Sequence, residues 1–155
     1  MFKTLLLLVA VVAAVNAEQH TVHFDNRCGN GTSTLIVGGQ IVSSGKDFTQ
    51  NGPIVSAIAY LQTGSCDFNG EHCTTVELTL INPTSPGSGS STDISLIPPH
   101  EFSVTTGFVY TNGCDGVGQD CNSANCPSAF FKPDDTTVQR ACQVNDVDLT
   151  ITFCD

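Results

Sequence analysis

Apolar and polar residues alternate along most of this chain. In Thr75-Val76-Glu77-Leu78-Thr79-Leu80 the apolar side chains fall on one face and Thr75, Glu77 and Thr79 on the other, which is the period-two pattern of a half-buried strand. Similar patterning predicts strands over Thr21–Asn26, Ser33–Val37, Ile54–Gln62, Thr74–Leu80, Thr92–Ile97, Glu101–Tyr110, Thr137–Gln143 and Val147–Cys154. No stretch keeps a convincing 3.6-residue period. Turn-forming residues punctuate the strands: Gly38-Gly39, Asn51-Gly52-Pro53, Asn69-Gly70, Asn82-Pro83 through the Ser/Gly run to Ser91, Pro98-Pro99 and Asn112-Gly113. The run from Thr84 to Ser91 has the composition of a linker, but it is too central and too short to divide two domains and reads as a long hairpin loop. Many short strands with such turns predict one all-β domain, an antiparallel sandwich.

Residues 1–17 have a different pattern. Lys3 is followed by an apolar run from Leu5 to Val15 and by small residues before Glu18, the layout of a secretory signal peptide, and the run is shorter than the roughly 20 residues a membrane span needs. A secreted domain over residues 18–155, extracellular or associated with a cell wall, is expected. The compartment matters because the chain has eight cysteines, an even set that an oxidising environment pairs into four disulfides. No Cys-x-x-Cys spacing suggests a zinc site. The net charge is −10, and loss of Lys3 leaves four basic residues against fifteen acidic ones. Such a surface repels nucleic acid and anionic membranes, while neutral and cationic ligands remain compatible. Asn30-Gly31-Thr32 is the one good glycosylation sequon, since Pro83 spoils Asn82-Pro83-Thr84.

Several segments, taken in order, resemble the thaumatin-like family. Phe24-Asp25-Asn26-Arg27-Cys28 is similar to its opening strand, Thr75 to Leu80 to its Ala-Glu-Phe-Thr-Leu strand, and Asp93-Ile94-Ser95-Leu96-Ile97 to its Asp-Val/Ile-Ser-Leu-Val segment. Cys126-Pro127-Ser128-Ala129-Phe130, then Asp134-Asp135-Thr136-Thr137 and Cys142, resemble Cys-Pro-x-Ala-Tyr/Phe with its downstream Asp-Asp-x-Thr, and Thr152-Phe153-Cys154 the terminal Phe-Cys. In long members a disulfide-rich second domain separates the equivalents of Cys121 and Cys126; here four residues do, so the resemblance is to the short, second-domain-deleted secreted forms, especially fungal ones. Eight cysteines alone allow 105 pairings. The resemblance implies Cys28–Cys154, Cys66–Cys73, Cys114–Cys142 and Cys121–Cys126.

The resemblance also implies an acidic surface that binds β-1,3-glucan or a related wall polysaccharide, with an antifungal or defence role. By motif, Glu77, Asp93 and one of Asp134 or Asp135 keep the places of family carboxylates. Gln62 stands roughly where the family has an arginine and Pro98 where it has another Asp, with Glu101 as a partial substitute. Phe131 is the best exposed stacking aromatic for a sugar ring. In a glycosidase reading, a weak endo-β-1,3-glucanase, Glu77 would be the acid and Asp93 the base or nucleophile; an ordinary solvated strand face fits the same alternation. A third reading is an effector, inhibitor or structural protein with an extracellular protein partner. Cleavage after Ala17 would leave Glu18-Gln19-His20, a sequence able to hold Cu(II) in a square-planar nitrogen set or else a frayed terminus. Without metal-ligand spacing, a nucleophile elbow or a phosphate loop, no metal or cofactor is expected, and the chain is expected to act as a monomer.

Overall fold

The computed structural model describes residues 17–155, so the predicted leader lies outside the described residues except for its last position. Among the described residues, twelve strands form two sheets. The smaller has the order β4-β1-β12-β8-β9: β1 (Gln19–Asn26), β4 (Phe48–Asn51), β8 (Thr106–Thr111), β9 (Gly118–Cys121) and β12 (Asp148–Phe153). The larger runs β10-β7-β6-β5-β2-β3: β2 (Thr32–Val37), β3 (Gln40–Ser44), β5 (Ile54–Gln62), β6 (Thr75–Leu80), β7 (Ser90–Ser95) and β10 (Ala129–Phe130), with β11 (Arg140–Cys142) also paired to β7. Pairing is antiparallel except at β1–β12 and β10–β7.

The inward faces are those the alternation marked. Val76, Leu78 and Leu80 of β6 meet Leu149, Ile151 and Phe153 of β12 within one core that also holds Val22, Leu35, Ile94 and Tyr110, all essentially solvent-free. Burying side chains of this size contributes roughly 1.5–3 kcal/mol each. Tyr110 ties the layers together, its hydroxyl donating to the Arg140 carbonyl at 3.1 Å and accepting from the Thr92 hydroxyl on β7 at 3.0 Å. A second, smaller cluster of Ile36, Tyr60, Cys66 and Cys73 lies apart from the main core. It is closed by the Cys66–Cys73 loop, which packs Gly70 against Thr75 and Tyr60. That loop explains why Thr75, expected on the solvent face with Glu77, is fully buried.

All four implied disulfides are present, and no cysteine is free. The strand boundaries differ from expectation at the periphery. β3, β4, β9 and β10 were not expected; the first three are short and largely polar, and β10 has only two residues, so alternation has too little length to register. The strand expected over Thr137–Gln143 is a 3-10 turn (Thr136–Val138) followed by β11. Glu101–Thr105 is irregular because Ser103 and Val104 bond to the Thr74 backbone and hydroxyl instead of to a strand. Among the described residues no helix is long and apolar enough to cross a membrane.

Candidate functional site

Glu77 and Asp93 lie directly opposite each other in the antiparallel β6–β7 pair. Residues in that relation have Cβ atoms about 4.5–5.5 Å apart. Both are out of phase with the core residues Val76, Leu78 and Ile94, so both leave the sheet on its outer face. Their environments differ. Glu77 is half-buried, while Asp93 is only 7% exposed, because the segment that follows β10 returns across β7 and lays Gln139 over it. Gln139 Nε2 donates to Asp93 Oδ1 at 3.4 Å. Burial first, and the neighbouring Glu77 charge second, push the Asp93 carboxyl up to about 6, with the Gln139 hydrogen bond acting against them.

The pair sits where two open grooves meet. One, of about 230 Å³, is lined by Ser56, Ile58, Thr79 and Ser91, and the other, of about 320 Å³, by Ile97, Phe130, Pro133 and Thr136; Glu77, Asp93 and Gln139 belong to both. The first groove depends on an irregularity in β5. Its register with β6 shifts between Ile54 and Ala57, and Ser56 takes a left-handed φ of 51°, with its N–H donating to Thr79 Oγ1 at 3.1 Å. Such a conformation costs a serine on the order of 1 kcal/mol. One arm carries the Ser56, Thr79 and Ser91 hydroxyls beside the apolar Ile58, and the other carries Ile97, Phe130 and Pro133 beside the Thr136 hydroxyl, with two carboxylates between them.

The remaining candidates lie elsewhere. Asp134 is exposed and paired with Lys132 Nζ at 3.2 Å. Asp135 Oδ2 accepts the backbone N–H groups of Phe131 and Lys132 at 3.0 and 3.2 Å, which closes the turn before the 3-10 segment. Neither lines the groove. Phe131 is exposed beside that turn, whereas Phe130 supplies the groove wall. Glu101 is at the Cys66–Cys73 loop, where its carboxylate is 2.7 Å from His72 Nδ1 and raises the pKa of that imidazole. Gln62 folds onto its own loop, bonding Cys66 and Gly64. Asn30 is exposed between β1 and β2. Gln139 was missed because it falls where the sequence suggested a continuous strand, and nothing in its neighbours marks it out.

The terminal copper arrangement is not available. His20 is fully buried, its Nδ1 2.6 Å from the Val147 carbonyl and its Nε2 3.0 Å from Glu18, and the Gln19 N–H is bonded to Asp146. The segment is neither frayed nor free to wrap a metal, because Glu18 also accepts the Asn82 N–H at 2.6 Å.

No family model matches the chain. A thaumatin-like protein of Oryza sativa subsp. japonica is 30% identical over 170 residues, an alignment covering 96% of this chain and 92% of that protein. Among solved structures, a thaumatin-like xylanase inhibitor shares the fold with a TM-score of 0.54 at 17% identity, covering 88% of this chain and 99% of that one.

Proposed function

Since the chain belongs to the thaumatin-like family, we propose that it is a secreted, short-form member that binds β-1,3-glucan or a related wall polysaccharide in the groove through Glu77 and Asp93, in an antifungal or defence role. The observation that carries this reading is the shape of the surface. The two grooves run on either side of the carboxylate pair, and a polymer lying across the pair meets Ser56, Thr79 and Ser91 on one side and Ile97, Phe130 and Pro133 on the other. Hydroxyl-rich rings with apolar faces suit that combination. Asp134, Asp135, Glu101 and Phe131 lie outside the groove, where they could contact only a ligand that extends beyond it.

Retention on insoluble β-1,3-glucan tests the proposal. The wild type is expected to be retained and Glu77→Gln or Asp93→Asn to be retained at least about tenfold less, in line with the loss of one charge-assisted contact. A wild type that flows through ends this reading.

A second reading, weak endo-β-1,3-glucanase activity, is favoured by the raised carboxyl of Asp93 beside a second carboxylate. In that case the roles are exchanged relative to the sequence expectation: Asp93 carries the proton as acid and Glu77 acts as base or nucleophile. The same variants decide it, since release of reducing sugar from soluble β-1,3-glucan should vanish in both. The structural relative is a xylanase inhibitor, so a protein partner is the outcome to pursue if neither sugar assay responds, beginning with inhibition of an endoxylanase.

A further inference from the structure

Resting on the polysaccharide reading, the charge of the bound sugar follows from what Glu77 and Asp93 lack. Among the described residues, neither carboxylate is ion-paired with Lys, Arg or His; the pairs present are at Asp25, Asp47, Asp67, Glu101, Asp134, Asp135 and Glu18. Like charges directly opposite on neighbouring strands destabilise a sheet, and a buried carboxylate needs a charged or multiply bonded partner. Asp93 has only the neutral Gln139 amide, at 3.4 Å. Independently, Ser95 is 1% exposed and its Oγ has no hydrogen-bond partner. It is two residues beyond Asp93 on the same face of β7 and two before Ile97, and both of those neighbours line the groove.

The strand pair therefore offers the groove two carboxylates with only the neutral Gln139 amide donating to them, while the unpartnered Ser95 hydroxyl is buried on the same face of β7 without lining either arm. An ammonium group brings one positive charge and three donors, whereas a sugar hydroxyl brings one donor and no charge. A hard metal ion is a poorer match, because it takes six or more oxygen ligands, and among the described residues no three metal-binding side chains cluster.

We propose that the groove selects a polysaccharide of β-linked glucosamine with free amines, one ammonium lying between Glu77 and Asp93 and the flanking rings occupying the two arms. The net charge of −10 draws any polycation toward the protein, so the proposal concerns the preference that these two residues add to that general attraction.

Calorimetric titration with a glucosamine hexamer, its fully N-acetylated counterpart and a β-1,3-glucose hexamer tests it. The variants are Glu77→Gln, Asp93→Asn and a charge-matched control, Asp115→Asn, at an exposed position outside the groove. Thermal melts confirm that each is folded. The wild type is expected to bind the free-amine hexamer at least about tenfold more tightly than either neutral oligomer. Each groove variant should lose most of that preference, and the control should keep it. Equal affinity for the amine and acetylated hexamers overturns the proposal, as does a control that loses as much as the groove variants. Binding of the glucose hexamer with no amine preference removes this inference while leaving the polysaccharide reading standing. Amine binding that depends on Glu77 and Asp93, without glucose-hexamer binding, supports the inference and removes β-1,3-glucan as the ligand.

Discussion

Asp93 is held at a cost that pH can reveal. Its carboxyl is raised from 3.8 to about 6, chiefly by burial, so the folded protein holds this proton more tightly than the unfolded chain does. Its contribution to stability is therefore complete below about pH 4 and is lost as pH rises through 6. Asp93→Asn keeps the shape and removes the charge. Relative to wild type, the variant should gain on the order of 1–2 kcal/mol between pH 4 and pH 7, read from guanidinium unfolding at both values. Asp47, Glu71 and Asp146, whose pKa values are lowered by hydrogen bonds, titrate alike in both proteins and cancel from the difference. A gap that stays constant across that range would mean that the carboxylate is better solvated than its burial indicates.

Strands and loops differ in how far the sequence reveals them. Alternation found β5, β6 and β12 within a residue or so, because each has one face in the main core and is long enough to show its period. The family resemblance put Glu77 and Asp93 on one acidic surface, but their direct opposition across β6 and β7 was not legible, because alternation gives the face of a residue and not its cross-strand partner. The edges were hidden. Gly38-Gly39 was legible as a turn, and both residues have the positive φ that a two-residue hairpin connection requires, yet its second strand, β3, carries an exposed Ile41 and its one buried residue is the polar Ser43, so no apolar face marks it. Asp134 and Asp135 could not be told apart, because what separates them is which one the backbone N–H groups of Phe131 and Lys132 reach, a matter of turn geometry. The Cys66–Cys73 loop was expected as a small closed ring, but its contact with the sheet was not. At Gly70 an added Cβ would lie 2.6 Å from Thr75 Oγ1, and φ is 80°. Gly70→Ala should therefore lift the loop and unpack Tyr60, with a loss of roughly 2 kcal/mol or more by chemical denaturation and increased hydrogen exchange confined to residues 66–75. Exchange that rises uniformly over the domain would show that the loop is not an independent layer.

At the scale of the molecule, Cys28–Cys154 closes almost the whole described chain, with a separation of 126 residues. Loop-closure entropy gives such a bridge about 5 kcal/mol, and Cys28→Ala with Cys154→Ala should lower the melting temperature by more than about 10 °C in calorimetry, with Cys66–Cys73 intact as the internal reference. A loss of only a few degrees would mean that β1–β12 pairing already confines the ends in the unfolded ensemble. That pairing is parallel, running from Val22–Leu149 to Asn26–Phe153, and the bridge sits just past its far end. Tension applied at Gln19 and Asp155 therefore travels along β1, crosses the sulfurs at Cys28 and leaves through Cys154, so the intervening fold carries no load. Tethered by its two ends, the oxidised domain is a short inextensible link. Once that single bond is reduced, the same pull shears β1 past β12 and the strands must resist it directly.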